Sequence, residues 1–249
     1  MAKKKYKEER TQNFTHNLSL LLELFKERKG VIIGIDPARG RIGVGIYSPK
    51  KKKHTVQSFK PKGRGFTKLL EIEMWLHEIL DGRKIRFACI EDYAYNTKHG
   101  REKAGELGGI IRRYLWIRGI PLFPIAIQTV KALIGAKNKN LIIKEVLKQY
   151  GFDTNNDDEA DAFILVKIGE LLYNTTHEFS KRVPDHEMAK CETYPHRYCS
   201  LNSAKAKMVK TIIIDKGEGA YAFGKEDEET RKKANASIGR KKKASKKTR

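Results

Sequence analysis

Val31-Ile32-Ile33-Gly34-Ile35 is an uninterrupted apolar run that stops at Asp36-Pro37, and it narrows the fold more than any other feature of the chain. A strand that alternates polar and apolar residues leaves one face in water. A strand apolar at every position must be covered on both faces, as in sheets with helices above and below. Pro37 has no N–H and ends the ladder, so the Asp36 carboxylate is left at the carboxyl edge of the sheet, where such folds place their ligands.

Punctuation downstream supplies partners for that strand. Residues 43–48 and 54–60 read as the next two strands, joined by a turn carrying Lys50, Lys51, Lys52 and Lys53. Phe66, Leu69, Leu70, Ile72, Leu76, Ile79 and Leu80 recur at helical spacing up to Asp81-Gly82, and 85–90 is a second buried strand. A helix over 102–118, a short strand over 120–127 and helices over 140–150 and 158–173 follow. Three strands, helix, strand, helix, strand, helices is the order of an α/β layer fold in which a meander leads into parallel crossovers.

The ends differ from this middle. Residues 1–29 are a Lys-rich arm and a short amphipathic helix (Leu18, Leu20, Leu21, Leu22, Leu24, Phe25). Residues 175–223 form an extension of unassigned fold, with one strand read at 211–215. Residues 224–249 have almost no large apolar residue and read as a disordered charged tail. Of the 249 residues, 52 are Lys or Arg and 30 Asp or Glu, a formal charge of +22 that predicts a polyanionic partner, nucleic acid before an acidic membrane surface. No stretch approaches the roughly 18 apolar residues of a membrane helix, and the Lys-rich start lacks the apolar block of a secretion signal. Three cysteines, at 89, 191 and 199, cannot form a full disulfide framework and fit a reducing compartment. The expected location is the cytoplasm of a bacterium or of a virus-infected cell, with the nucleus left open.

Four acids fall where acids are rare. Asp36 ends the first strand and Glu91 ends the fourth in the same manner, a few ångströms away if the strands are neighbours. Asp158 and Asp161, spaced i to i+3, share one face of a helix otherwise built from Ala160, Ala162, Phe163, Ile164, Leu165, Val166 and Ile168. Carboxylates pressed together repel unless protonated or bridged, and hard oxygen donors favour Mg²⁺ or Mn²⁺. The reaction this best serves is phosphodiester hydrolysis, with two ions about 3.5–4 Å apart. Taken singly each feature has a bland reading, since an Asp before Pro is often a turn residue and i,i+3 acids often open a solvated helix. Their combination with the strand order gives them weight.

Gly34-Ile35-Asp36-Pro37 followed by Gly40, Gly43 and Gly45, then Ile90-Glu91, then Asp158-Glu159-Ala160-Asp161-Ala162, resembles the RuvC Holliday-junction resolvases of the RNase H-like superfamily. Gly105-Glu106-Leu107-Gly108-Gly109 is similar to the family's glycine-bearing helix, and Gln128, Val130-Lys131, Gly135 and Lys139 to the segment before its last helices. The likeness covers residues 30–174. It implies an RNase H-like mixed five-stranded sheet with helices on both faces, extended at both termini. It also implies a homodimeric, Mg²⁺-dependent endonuclease that cuts four-way or other branched DNA in pairs of nicks, leaving 5′-phosphates and 3′-hydroxyls. By that resemblance Asp36, Glu91, Asp158 and Asp161 hold two Mg²⁺ or Mn²⁺ ions, and Lys131 and Lys139 approach the scissile phosphate, with Lys137 competing for the second place. The sequence departs from the family at Ala94, where the family has a wedge Phe; the flanking Tyr93 and Tyr95 are the candidates to stack on a base.

Lys98, Arg101 and Arg112, with Lys50 to Lys53, Lys60, Lys62, Arg64, Lys103 and Arg113, read as a DNA-facing surface flanking the acids. His186, Cys191, His196 and Cys199 could cage a structural zinc, a weaker reading than four unligated surface residues. The runner-up functions are an RNase H-like nuclease or transposase-like enzyme on linear or flapped DNA, and a non-catalytic DNA-binding scaffold. The complete set of acids argues against the scaffold. A sugar-kinase-like phosphotransferase, which can also begin with Gly-Ile-Asp, needs two such domains.

Overall fold

The computed structural model describes residues 21, 28–38, 40–92, 101–135, 139–182 and 209. Five strands, β1 (Val31–Asp36), β2 (Ile42–Ser48), β3 (Lys53–Phe59), β4 (Ile85–Glu91) and β5 (Leu122–Ile125), form one sheet in the order β3-β2-β1-β4-β5. β2 pairs antiparallel with β1 and β3, while β1 with β4 and β4 with β5 are parallel, so β2 alone runs against the rest. Helix α1 (Phe66–Leu80) joins β3 to β4 and α2 (Arg101–Ile117) joins β4 to β5. They are followed by α3 (Ile127–Ile134), α4 (Lys139–Tyr150) and α5 (Asp157–Arg182). This is an α/β fold built on a mixed five-stranded sheet with helices on both faces, the architecture that the resemblance implied.

Side chains alternate across the sheet with the strand period of two. Ile33, Ile35, Val44, Ala88 and Ile90 face one way and pack under Ile72 and Leu76 of α1 and Leu107 and Ile111 of α2. Ile32, Tyr47, Phe87, Cys89 and Phe123 face the other, against Val130 of α3, Val146 of α4 and Phe163, Leu165 and Val166 of α5. Burying β1 and β4 from both sides is why their sequences carry no polar alternation.

Helix α5 lies directly on β1 and β2 because the strand positions beneath it carry no side chain. A Cβ at Gly34 would stand 2.4 Å from the Val166 backbone nitrogen. One at Gly45 would stand 2.7 Å from the Ala162 carbonyl oxygen, and one at Gly43 only 2.2 Å from the Asp158 carbonyl oxygen. These glycines serve close approach and set the height of α5 over the sheet.

Three expectations change. The strand over 120–127 ends at Ile125, and α3 follows at once; Ile125-Ala126-Ile127 is apolar in either conformation, so periodicity could not mark the switch. Helix α5 continues to Arg182, past residue 174. Leu21 is fully buried and Val209 2% exposed within the α5-side core, so the folded body draws on residues well outside 30–174. The rest of the helix read at 18–25, the strand at 211–215, the candidate zinc ligands His186, Cys191, His196 and Cys199, and the tail at 224–249 lie outside the described residues. Among the described residues no helix is long and apolar enough to cross a membrane.

Away from the acids, the later turns of α5 are pinned to the hairpin by a charged cluster. His54 Nε2 lies 3.0 Å from Glu170 Oε2, Lys167 donates to the same carboxylate, and Tyr47 stacks on His54 at 4.6 Å. Burial alone would raise Glu170, but hydrogen bonds from His54 and Lys167 outweigh it and hold the carboxyl at about 2. A carboxyl depressed by folding stabilises the native state above its unfolded pKa, and that stability is lost as pH falls through the folded value. Glu170 is therefore expected to contribute up to about 3 kcal/mol that disappears between pH 4.5 and about 2. Urea midpoints of Glu170→Gln against the parent chain should converge across that window; a constant gap would contradict the assignment.

Candidate active site

The acids meet because of strand register. Ile35 pairs with Ile90, so the next residues along, Asp36 and Glu91, end adjacent parallel strands; Asp36 pairs with Gly43, and Gly43 with Ser58. Asp36 shares its side of the sheet with Gly34 and Ile32, and Glu91 with Cys89 and Phe87, the side covered by α5. Gly43 admits the first turn of α5, which brings Asp158 and, one turn on, Asp161 over the same edge.

The electrostatics record the convergence. Asp36 is 6% exposed. Its carboxyl is pushed well above the usual carboxylate range, first by burial, then by the charges of Glu91, Asp161 and Asp158, and by a hydrogen bond with Glu91. Carboxylates brought this close repel one another, so each charge added to the cluster makes the next less favourable. No three His, Cys, Asp or Glu side chains among the described residues are spaced to hold a metal ion. The donor chemistry nevertheless fits a hard divalent cation: the groups whose charges bear on Asp36 are all carboxylates, and their mutual repulsion is what a bound cation relieves.

A second set of side chains, which the sequence reading missed, holds the start of α5 in place. Asn156 caps the helix, its Oδ1 accepting from the Asp158 N–H at 3.1 Å. Glu159 accepts from Ser58 Oγ on β3 at 2.7 Å and from Thr154 Oγ at 2.8 Å, and Asn156 Nδ2 donates to the Ser58 hydroxyl at 3.0 Å. Glu159 thus turns to edge strand β3 while its neighbours Asp158 and Asp161 turn to Asp36. The Thr154-Asn155-Asn156-Asp157 run, rich in capping residues, was the available signal for the cap; nothing local predicted Ser58. Glu159→Ala should cost about 2 kcal/mol of unfolding free energy, because it strips two hydrogen bonds to a charged acceptor. Glu159→Gln should recover part of it in the same urea titration.

The predicted cations fare unevenly. Lys131 sits half-buried on α3, which begins two residues after the Ile125 that pairs with Glu91. Arg112 does not point outward: its Nη2 lies 3.3 Å from Asp92 Oδ1, directly after Glu91, and the side chain is 22% exposed. Lys50 to Lys53 do not flank the acids. They sit beyond the Ser48–Lys53 pair, five register steps from Gly43, roughly 17 Å down the strands. The chain returns along β3, so Lys60, Lys62 and Arg64 are the cations that follow its end at the acidic edge. Tyr93, Tyr95, Lys98 and Lys137 lie outside the described residues, as do the side chains of Arg101 and Lys139, which open α2 and α4.

Curated relatives match a little over half of the chain. A protein of Prochlorococcus marinus named crossover junction endodeoxyribonuclease RuvC is 29% identical over 157 residues, 57% of this chain and 99% of the relative. One of the same name from Carboxydothermus hydrogenoformans is 28% identical over 151 residues, 56% of this chain and 95% of that one. The chain is similar to these two RuvC proteins, and the likeness runs through nearly the whole of each of them. No family model matches the chain. Among solved structures, Thermus thermophilus RuvC in complex with a Holliday junction superposes with a TM-score of 0.46 at 20% identity, covering 62% of this chain and 97% of that one.

Proposed function

We propose that this chain is a divalent-metal-dependent endonuclease that resolves Holliday junctions or related branched DNA by paired phosphodiester hydrolysis, acting as a homodimer. The observation that carries the reading is the buried Asp36 carboxyl, set among Glu91, Asp158 and Asp161 from distant parts of the chain. Similarity to curated junction endonucleases supports the same substrate class.

In this reading Asp36, Glu91, Asp158 and Asp161 are the ligands of Mg²⁺ or Mn²⁺. Such ions supply an activated water and charge neutralisation at the leaving oxygen. The chain's own groups do the rest. Burial and the neighbouring acids favour the protonated form of Asp36, which must lose that proton to serve as a ligand. Asp158 stands in the first turn of α5, whose amino end carries a partial positive charge that suits a carboxylate. Lys131, with Lys139 or Lys137, offsets charge on the phosphate under attack. Lys60 and Lys62 hold the DNA backbone near the acids, so affinity falls steeply with salt. Two-fold pairing of protomers is what lets two strands be nicked symmetrically, since one site cannot cut both without reorienting.

Purified protein incubated with a synthetic four-way junction, and with the linear duplex of one arm, tests this with Mg²⁺ present or withheld. Paired nicks in the junction alone, only with Mg²⁺, are expected. Equal cutting of the duplex overturns the junction reading, and absence of all cutting with Mg²⁺ or Mn²⁺ overturns the nuclease reading.

A further inference from the structure

On the face of the sheet opposite the acids, a cavity of about 320 Å³ opens between Gly63, Arg64 and Gly65 before α1, the first turns of α1, and the start of α2. Its walls divide chemically. Leu69, Ile72 and Leu107 make an apolar floor, with Ile72 fully buried and Leu107 3% exposed. Arg64, Lys68 and Lys103 stand around it, and Glu106 is the single acid of the lining. The other carboxylate of this loop, Glu71, is turned away from that role, accepting the Lys62 and Gly63 N–H groups at 2.8 and 3.0 Å. Both helices begin here, and Gly65 brings no side-chain cap to α1, so two positive helix ends add to the cationic rim.

A groove that merely tracked phosphates would need charge and no floor. An apolar floor under a cationic rim matches a planar base joined to a phosphate. We propose that this cavity takes one unstacked nucleotide of the DNA substrate, its base over Leu69 and Leu107 and its phosphate among Arg64, Lys68 and Lys103. The inference rests on the DNA-cleaving reading above but assigns a different place. β3 and β4, which lead into α1 and α2, end on the edge that bears Asp36 and Glu91, so a strand crossing that edge reaches both faces.

The test uses the full chain and two fluorescent single strands of equal length and phosphate count, one of thymidines and one carrying a run of abasic sites, with binding followed by anisotropy across a salt series. The parent should bind the thymidine strand roughly tenfold more tightly than the abasic one at every salt concentration. Arg64→Ala and Lys103→Ala should each weaken both strands and lower the salt slope by about one, with thermal melts unchanged because both side chains are exposed. Leu69→Ala should erase the preference for bases while leaving the salt slope alone. Equal parental affinity for the two strands means the cavity holds no base, and charge variants that bind like the parent mean it holds no phosphate; either overturns the proposal. Junction cleavage with Mg²⁺, run on the same parental preparation, reports separately on the endonuclease reading: loss of base preference with cleavage intact sinks only the cavity.

Discussion

Asp36→Asn is expected to leave junction binding within about twofold of the parent while lowering Mg²⁺-dependent cleavage by at least a thousandfold, roughly 4 kcal/mol of transition-state stabilisation. The substitution keeps the shape of the side chain and removes the charge that the proposed cation needs, whereas the proposed DNA contacts are lysines and arginines elsewhere. A second effect should accompany it. In the metal-free protein Asp36 is held above its ordinary value, first by burial and then by Glu91, Asp161 and Asp158. An acid whose pKa is raised by folding destabilises the native state as pH rises from its unfolded value toward its folded one. Metal-free parent should therefore lose melting temperature as pH rises from about 4, and Asp36→Asn, which has no proton to lose, should not. The same proton competes with the cation, so the Mg²⁺ concentration giving half-maximal cleavage should fall as pH rises. Parental cleavage rates from the Asn variant, or a melting temperature indifferent to pH in both proteins, would remove Asp36 from the centre of the site.

Gly43→Ala should be nearly as damaging to activity although it changes no charge and touches no DNA. The added methyl would lie 2.2 Å from the Asp158 carbonyl oxygen, a contact with backbone that no rotamer can relieve. Either the first turn of α5 lifts or β2 sinks, and in both cases Asp158 moves from Asp36, to which Gly43 is paired. Overpacking of this kind costs about 2–3 kcal/mol, and a shift near an ångström at a reacting centre costs on the order of 100-fold in rate. Gly105→Ala is the control: its Cβ meets nothing within 4 Å, and a helical glycine replaced by alanine should gain about 0.5–1 kcal/mol. Paired melting curves and cleavage rates for the two variants decide the matter. A Gly43→Ala protein as active as Gly105→Ala would show that the height of α5 over the sheet does not govern the site.

The legible and illegible parts of the chain separate along physical lines. β1 and β4 could be read at once, since burial on both faces removes the polar alternation that makes other strands ambiguous. The termination of β1 at Pro37 and the i,i+3 spacing of Asp158 and Asp161 are likewise local facts. The passage from β5 to α3 was not readable, because Ile125-Ala126-Ile127 suits a strand or a helix equally. The misplacement of Lys50 to Lys53 has a different origin: a turn's composition announces a hairpin, but which end of the sheet it occupies follows from strand direction. Arg112 looked like a surface cation because its partner, Asp92, lies twenty residues away, just past the end of β4.

By itself the sequence determined which groups are present: a two-sided parallel core, acids at its strand ends, an acid pair on an apolar helix, and a large excess of positive charge. Those properties are set by residue identity and short-range spacing, which the chain carries before it folds. Only the tertiary structure decided that Asp36 is buried at the end of the strand beside Glu91, that Gly43 makes room for Asp158, and that Ser58 and Glu159 fix the helix carrying the acid pair. Each of these depends on register and on the distance between a helix and a sheet, quantities fixed by the packing of residues far apart in the chain.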